Sequence, residues 1–282
     1  MYIRRFTFPD EDTCYKFILG MPLTCYEGNT YPFDFMRRFD RVELEFAPVT
    51  ILYGGNGSGK STLLNVMAEK LGLQRDSLFN RTDFHRAFVD LCECDISWEF
   101  DEEIKAESRI ITSDDVFDFM LDIRAVNQGI DRKREELFDY YSREKDFRFR
   151  SMADLEELKK LNESRRKTKS AFVRGRLKNS IRTRSNGESA FQYFIRKIEK
   201  PGLYILDEPE NSLSPKLQLE LRKYLMDSAR YFGCQFIISS HSPFLLSMEG
   251  AAIYDIENGA VKVESWTELE NVRIYRDFFK EQ

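Results

Sequence analysis

The chain has 282 residues, with 42% hydrophobic and 32% charged side chains and a formal net charge of −5. Its 24 Phe and 13 Tyr exclude a disordered chain, and its length fits one large α/β domain or two small ones. No apolar run approaches the roughly 20 residues of a membrane helix, the first residues lack the apolar core of a signal peptide, and the five Cys are irregularly spaced. We therefore expect a cytoplasmic protein that does not insert into a membrane.

The first third of the chain predicts two strands, a glycine-rich turn and a helix. Residues 41–46 alternate polar and apolar side chains, as a half-buried strand does, and residues 49–53 are apolar and β-prone. The glycine-rich turn follows, and residues 61–71 have apolar side chains at helical spacing. A strand, a glycine loop and a helix in this order are typical of the opening of a phosphate-binding α/β unit.

The middle of the chain, roughly 113–184, predicts charged helices without a repeat. Two apolar stripes mark these helices: Val116, Phe119, Met120 and Ile123, then Leu155, Leu158 and Leu161. The basic segment, residues 159–184, holds 11 Lys and Arg but a single acidic residue. It is either a solvated helical face or a surface for nucleic acid or an acidic partner. We interpret this middle part as a helical lobe inserted into an α/β core.

The last third of the chain returns to an α/β pattern. Buried strands are predicted at 203–206 and 236–238, on either side of a helix from about 215 to 231 with Pro in its first turn. Two fully apolar strands around a helix are typical of a βαβ unit in a parallel sheet. Residues 253–263, interrupted by Asn258 and Gly259, predict a terminal hairpin.

The glycine-rich turn carries the motif G-x-x-x-x-G-K-[ST]. Its residues are Gly54, Gly55, Asn56, Gly57, Ser58, Gly59, Lys60 and Ser61. Glycines let successive N–H groups point inward, and the helix end adds positive partial charge, so such a loop captures anionic phosphates. In this motif the lysine, Lys60, reaches the β- and γ-phosphates, and the hydroxyl of Ser61 binds Mg²⁺. We add Thr62 to the predicted nucleotide-binding residues.

A second motif consists of two acidic residues at the end of the strand at 203–206. Carboxylates at the carboxyl end of a buried parallel strand face the crevice where α/β proteins bind ligands. We expect Asp207 to hold the Mg²⁺ shell and Glu208 to orient or deprotonate a water aimed at the γ-phosphorus.

Four motifs, in their order and spacing, resemble those of an ABC-type ATPase of the soluble, stand-alone kind that is grouped with SMC- and RecF-like proteins and labelled AAA-family. They are the phosphate loop at 54–61, a signature loop at 184–189, the metal, base and D-loop residues at 205–215, and a switch histidine within 237–246. The resemblance covers residues 41–256 apart from the helical lobe. It implies a P-loop NTPase fold, with a mixed sheet flanked by helices and an inserted helical lobe, that binds ATP and Mg²⁺ and hydrolyses ATP.

The resemblance also implies how the chain is organised. It makes 1–282 a single ABC-type ATPase domain, with residues 1–112 as the N-terminal nucleotide-binding part of the core. Residues 113–200 form the helical lobe that ends in the signature loop and its helix, and residues 201–282 complete the core.

The resemblance further implies an ATP-dependent head-to-tail homodimer with two ATP molecules between the subunits. In it, Ser185 and Gly187 contact the γ-phosphate bound by the other subunit, and His241 hydrogen-bonds the γ-phosphate and helps to hold the water. Three residues then line the subunit boundary: Asn211, Ser212 and Leu213.

Two features depart from the family pattern of transporter ATPases. The signature reads Ser-Asn-Gly-Glu in place of Ser-Gly-Gly-Gln, and neither Gln74 nor Gln128 occupies a convincing Q-loop position. Ser113 and Asp114, after the predicted strand at 109–112, are the candidates for that position. The adenine-stacking aromatic is unassigned, with three candidates: Tyr31, Phe33 and Phe35.

Three functions stay open. The first is an ATP-driven dimerisation switch acting on a partner, such as a nuclease or toxin in antiviral defence. The second is an ATPase that handles nucleic acid through the basic segment, for example in DNA maintenance. The third is the ATP-binding subunit of an ABC transporter, against which both departures argue. A zinc site of His85, Cys92 and Cys94 is disfavoured, since the spacing and a fourth ligand are lacking.

Overall fold

The computed structural model describes residues 1–20, 30–36, 39, 42–79, 81–145, 185–257 and 261–281. The chain forms two compact units, one of Met1–Phe117 with Asn186–Gln282 and one of Asp118–Ser185. The basic segment and the second predicted apolar stripe, Leu155, Leu158 and Leu161, lie outside the described residues. The predicted division of the chain at 112 and 200 stays a prediction.

The described strands include each strand that the sequence predicts and others that it does not. They are β1 (Ile3–Thr7), β2 (Glu43–Glu45), β3 (Val49–Tyr53), β4 (Glu93–Ile96), β5 (Arg109–Ile111), β6 (Gly202–Asp207), β7 (Cys234–Ser239), β8 (Ala252–Asp255) and β9 (Lys262–Val263). The predicted strands near 41–46, 49–53, 109–112, 203–206 and 236–238 correspond to β2, β3, β5, β6 and β7.

The described α-helices come next in the same numbering. They are α1 (Glu11–Leu19), α2 (Phe33–Met36), α3 (Lys60–Leu71), α4 (Asp83–Leu91), α5 (Glu102–Glu107), α6 (Ser113–Lys145), α7 (Asn186–Lys197), α8 (Pro215–Tyr231), α9 (Pro243–Leu246) and α10 (Glu270–Lys280). A 3₁₀ helix covers Trp266–Glu268. Helix α8 begins at Pro215, where a missing N–H costs no hydrogen bond, and the predicted helix at 215–231 is confirmed.

A six-stranded mixed sheet forms the centre of the first unit, in the order β5-β6-β7-β3-β8-β9. The first five strands in this order, from β5 through β3 to β8, pair in parallel. Ile205 lies opposite Ile237, and Ile51 lies opposite Ile238. Strand β9 pairs antiparallel with β8, which confirms the predicted hairpin strands, while its predicted turn at 258–259 lies outside the described residues. Because parallel strands end at the same edge, the segments that follow β3, β6 and β7 meet there.

A three-stranded antiparallel sheet, in the order β2-β1-β4, packs beside the mixed sheet. The buried amide of Gln235 in β7 joins the two, since its Oε1 accepts from the backbone N–H groups of Tyr2 (2.8 Å) and Ile3 (3.1 Å). Its Nε2 donates to the Ile3 carbonyl at 2.9 Å. The amide therefore satisfies backbone groups that would otherwise be buried without partners.

Helix α3, which follows the phosphate loop, packs into the hydrophobic core. Its buried apolar residues are Leu63, Leu64, Val66, Met67, Ala68 and Leu71. A buried Leu, Val or Met side chain contributes about 1.5–3 kcal/mol relative to exposure, so the helix is firmly held. The helix ends at Gly72, whose φ of 64° lets the N–H groups turn back onto the last carbonyls.

Candidate nucleotide-binding site

The phosphate loop joins β3 to α3 through a backbone that needs glycine at two places. Gly57 and Gly59 have φ angles of 80° and 102°, which side chains rarely adopt. The ring of Phe35 also covers Gly59 so closely that a Cβ there would lie 1.9 Å from the ring. Asn56 and Gly57 at the tip are exposed to solvent. The two glycines therefore give the loop a backbone conformation that residues with side chains rarely adopt, of the kind that phosphate-binding loops use.

Lys60 folds back over this loop and is only 4% exposed. Its ammonium donates to the carbonyls of Gly54 at 2.8 Å and Gly55 at 3.2 Å. The N–H of Gly55 donates in turn to a carboxylate oxygen of Glu257 at 2.7 Å. The positive charge is therefore fixed at the loop by backbone carbonyls, where an anionic phosphate group would be attracted.

Ser61 and Asp207 lie side by side although 146 positions separate them in the sequence. The Ser61 hydroxyl is hydrogen-bonded to the Asp207 carboxylate, and Ser239 Oγ donates to Asp207 Oδ1 at 2.5 Å. Burial raises the pKa of Asp207, and the hydrogen bonds from Ser239 and Ser61 oppose this effect. A hydroxyl and a carboxylate at a polar cavity are hard oxygen donors of the kind that Mg²⁺ prefers, so these residues fit the ion.

Glu208 has a strained backbone at the carboxyl end of β6. Its φ of 48° lies in the left-handed region, and its N–H is held by Ser239 Oγ at 2.9 Å. The contact with His241, together with Asn211 and the charge of Lys60, lowers the pKa of Glu208 to about 2 against the opposing effect of burial. The side chain is therefore an ionised carboxylate at neutral pH.

The His241 side chain contacts both Lys60, at the end of the phosphate loop, and Glu208, at the end of β6. Its Nε2 lies 2.7 Å from Lys60 Nζ and 3.4 Å from Glu208 Oε1, and Glu208 Oε1 lies 3.5 Å from Lys60 Nζ. The three predicted catalytic residues thus form one cluster, brought together by the ends of β3, β6 and β7.

A cavity of about 680 Å³ opens beside Ser61, Asp207 and Glu208. Ser113 and Asp114, the candidates for the Q-loop position, also line it. Both residues belong to the first turn of α6.

Thr112 and Asp115 form a reciprocal cap at the start of α6. The Thr112 N–H donates to Asp115 Oδ2 at 2.6 Å, and the Asp115 N–H donates to Thr112 Oγ1 at 3.4 Å. Asp115 Oδ1 accepts from the Ser77 N–H at 2.7 Å, which ties the cap to the segment after α3. The two intervening residues are therefore directed to the cavity.

The three aromatic candidates for adenine stacking have different positions. Tyr31 lines the cavity and donates a hydrogen bond to Thr62 Oγ1 at 2.7 Å, while Phe35 lies on Gly59. Phe33 is fully buried and stacks on Phe17 with ring centroids 5.1 Å apart, so it is a core residue.

The signature residues stand at the start of α7. Ser185 immediately precedes this helix and Gly187 is its second residue. A Cβ at Gly187 would lie 3.0 Å from Leu217 and 3.3 Å from the Ser212 carbonyl, so the D-loop packs directly against the signature helix. Gly187 is not among the described residues that line the cavity.

Four residues at the site were not predicted from the sequence: Arg75, Glu210, Glu257 and Asn271. Arg75 lines the cavity and its guanidinium lies 4.0 Å from the centroid of the Phe79 ring, while burial lowers its pKa. Glu210 accepts the His241 N–H at 2.6 Å, and burial raises the pKa of Glu210. Of these, Glu210 alone lay inside a recognised motif; no pattern marks the others, because tertiary contacts bring them to the site.

His85 is a buried residue that packs in the core of the described structure. It is 1% exposed, its Nδ1 lies 3.3 Å from Glu69 Oε2, and its ring packs edge-on against Phe79. In the part of the chain that the structure describes, no group of three or more His, Cys, Asp and Glu side chains could hold a metal ion.

A buried lysine in a glycine loop between a parallel strand and a helix, facing two carboxylates on a nearby strand, defines a P-loop nucleoside triphosphatase. The family model described as "ABC transporter" matches residues 40–211, more than half of the chain. A second model, "AAA domain, putative AbiEii toxin, Type IV TA system", matches residues 185–247. The chain belongs to the ABC transporter family, and its ABC-type ATPase domain binds and hydrolyses ATP.

The chain is also similar to several solved structures. One is the dimeric ATP-binding cassette MJ0796 bound to ADP and Pi, at 16% identity over 82% of this chain and 92% of that one, with a TM-score of 0.41. Another is the Smc head domain of Pyrococcus furiosus bound to the C-terminal domain of ScpA, at 14% identity over 99% of both chains, with a TM-score of 0.45. A third is an inward-facing putative metal-chelate type ABC transporter, at 17% identity over 82% of this chain and 78% of that one, with a TM-score of 0.40.

A search of curated proteins gives no match. Among the helices that the structure describes, none combines the length and apolar character needed to cross a membrane.

Proposed function

We propose that the chain is a Mg²⁺-dependent ATPase in which two copies close head to tail over two ATP molecules and thereby switch a partner. The observation that carries this proposal is the cluster of Lys60, Glu208 and His241, whose side chains lie within 3.5 Å of one another. They come from three distant parts of the sequence, and each suits a different task at a γ-phosphate.

Lys60 neutralises the β- and γ-phosphates, and backbone N–H groups of the loop bind their oxygens. The buried hydroxyl of Ser58 has no hydrogen-bond partner among the described residues, which suits a donor to phosphate. Ser61 and Asp207 are the residues that would hold Mg²⁺, which supplies charge neutralisation for the transferred phosphoryl group when bound.

Glu208 is the residue that orients or deprotonates the attacking water, and His241 hydrogen-bonds the γ-phosphate. A carboxylate with a pKa of about 2 is fully ionised at neutral pH, so it is ready to accept a hydrogen bond from water. In this proposal Lys60 and His241 hold the phosphate end of the substrate while Glu208 aligns the nucleophile.

The proposed second half of the site comes from another copy of the chain. Ser185 and Gly187 stand at the amino end of α7, where backbone N–H groups attract anions, and we propose that they bind ATP held by the partner. Asn211 supports a link between the subunit boundary and the chemistry, because its side chain donates to Glu208 Oε2 at 3.0 Å. Loss of the γ-phosphate would then release the partner subunit.

The Glu208→Gln variant tests the dimer. The amide keeps the shape of the side chain but cannot act as a base, so we expect ATP with Mg²⁺ to trap a dimer in light scattering, and EDTA or ADP to leave a monomer. The Glu208→Gln, Lys60→Ala double variant should stay monomeric under all conditions. A monomer of Glu208→Gln with saturating ATP and Mg²⁺ would rule out the two-ATP arrangement.

The partner that we favour is an effector protein of a defence system. Residues 185–247 match the model described as "AAA domain, putative AbiEii toxin, Type IV TA system", which supports a role in a defence system of this kind, with the effector as our proposed partner. A pull-down with Glu208→Gln and ATP should recover a nuclease or toxin. The basic segment, which lies outside the described residues, suits nucleic acid as well as an effector protein, and binding of DNA or RNA that weakens steeply with salt would favour nucleic acid as the partner.

The second candidate function is the ATP-binding subunit of a transporter. The match to the "ABC transporter" model over residues 40–211 favours it. This function requires a membrane permease as partner, so co-purification with a permease from solubilised membranes would support it. Recovery of a cytosolic effector alone would contradict it.

A further inference from the structure

His241 is held through its backbone by two side chains that lie outside the catalytic cluster. Glu210 Oε1 accepts the His241 N–H at 2.6 Å. On the other side, Asn271 Nδ2 donates to the His241 carbonyl at 2.5 Å. Because a carbonyl oxygen can only accept, this contact requires the NH₂ end of the Asn271 amide.

The Glu210 carboxylate organises the whole turn that follows β7. Its Oε1 also accepts from Ser240 Oγ at 2.8 Å and from the Ser242 N–H at 3.0 Å. One carboxylate oxygen therefore accepts hydrogen bonds from three consecutive residues, 240 to 242. Glu210 itself contributes no atom to the contacts of the imidazole that the structure describes.

Asn271 brings the C-terminal part of the chain into this arrangement. It is the second residue of α10, its N–H donates to Tyr53 Oη at 3.2 Å, and the neighbouring Val272 is buried. Tyr53 is the last residue of β3, directly before the phosphate loop. Helix α10 is therefore anchored both to the strand that leads into the loop and to the histidine opposite it.

We propose that Glu210 and Asn271 are positioning residues that aim the His241 imidazole at the phosphate end of ATP. The Cα of His241 lies between its N–H and its carbonyl, so fixing both groups fixes the direction in which the side chain leaves the backbone. The imidazole then reaches Lys60 at 2.7 Å and Glu208 at 3.4 Å. This inference rests on the proposed function, in which His241 acts at the γ-phosphate.

The first experiment is a double-mutant cycle in ATP hydrolysis. Asn271→Asp keeps the shape of the side chain but removes the donor, and Glu210→Gln keeps an acceptor oxygen but removes the charge. Since small displacements of catalytic groups cost large factors in rate, we expect each change to lower kcat roughly 10-fold with ATP affinity within about 2-fold. In the His241→Ala background, the same changes should alter the remaining rate by less than about 2-fold.

The matched control is Arg273→Gln, an exposed position two residues further along α10. It should leave kcat and ATP affinity unchanged. If Asn271→Asp lowers kcat as much in the His241→Ala background as in the intact chain, the positioning role is overturned. If Asn271→Asp fails to fold, Glu210→Gln and Asn271→Ala are each compared in the intact chain and in the His241→Ala background instead.

The second experiment does not depend on activity and uses the fact that the chain has only two histidines. In NMR spectra of the imidazole C–H groups, Glu210→Gln and Asn271→Asp should shift the His241 signals. The His85 signals, from a residue 1% exposed in the core, should stay in place and show that the fold is intact. Unchanged His241 signals in both variants would overturn the inference.

The two experiments separate this inference from the proposed function. If the wild-type chain with Mg²⁺–ATP shows no turnover, or if His241→Ala is fully active, the proposed role of His241 fails. The NMR comparison still tests whether Glu210 and Asn271 hold the ring, and shifted signals would support that part of the inference on their own.

Discussion

Lys60 Nζ lies 2.7 Å from His241 Nε2, although 181 positions separate the two residues in the chain. The lysine begins the helix after β3, and the histidine follows β7, the strand that pairs with β3 in parallel. The ammonium also donates to two carbonyls of its own loop. One side chain therefore joins the phosphate loop to the switch histidine.

We expect Lys60→Ala to weaken ATP binding by roughly 10- to 100-fold, since hydrogen bonds to a charged group are worth about 1.5–3 kcal/mol. Isothermal titration with ATP and Mg²⁺ measures this directly. Lys200→Ala is a matched control, because that lysine is exposed and pairs with Glu107. Equal ATP affinity in Lys60→Ala and the wild-type chain would contradict the placement of the triphosphate.

Gly59→Ala should lower the free energy of unfolding more than Gly57→Ala does. Both positions have positive φ, which costs a side chain about 1–2 kcal/mol, but only the Cβ at 59 meets the Phe35 ring, whereas nothing lies within 4 Å of a Cβ at 57. Overpacking of this kind adds about 1–3 kcal/mol. Urea unfolding should rank the wild type first, Gly57→Ala second and Gly59→Ala last, and the reverse order of the two variants would refute the steric argument.

Glu208→Gly should be more stable than Glu208→Ala, although both lack the carboxylate. At a φ of 48° a Cβ costs about 1–2 kcal/mol, and glycine avoids this cost. We expect neither variant to hydrolyse ATP, so the pair separates backbone strain from chemistry. A urea midpoint for Glu208→Gly at or below that of Glu208→Ala would show that the strain is relieved elsewhere.

The free energy of unfolding should fall as the pH drops below about 6.5, in part through His85. Burial lowers the pKa of His85, with the charge of Glu69 opposing, so the unfolded chain binds the proton more readily than the folded one. The stability is therefore fully present above the unfolded pKa of about 6.5 and decreases with falling pH until the folded pKa is reached.

Urea midpoints at pH 8 and pH 5.5 measure this loss. His85→Gln should show a smaller drop between the two pH values than the wild-type chain does. An equal drop in His85→Gln and wild type would assign the acid sensitivity to other groups.

Local sequence determined the parts of the site that depend on neighbouring residues. The runs at 49–53, 203–206 and 236–238 consist almost entirely of apolar residues, which predicts buried parallel strands. The motif by itself indicates that the glycines of 54–59 are needed for the backbone conformation of the loop. The fold class and the family were therefore predicted from sequence and are confirmed. Phe33 illustrates the opposite case, because an aromatic side chain near the loop looks the same in sequence whether it faces a ligand or the core.

Only the tertiary structure decided which distant side chains serve the same centre. Asn271 and Glu257 carry no motif, and they reach His241 and the phosphate loop because the start of α10 and the segment after β8 both lie at the carboxyl edge of the sheet. The left-handed backbone of Glu208 is likewise imposed by its surroundings, since Ser239 holds its N–H. The physical reason is that sequence motifs record interactions between near neighbours, whereas hydrogen bonds across a sheet edge depend on strand order.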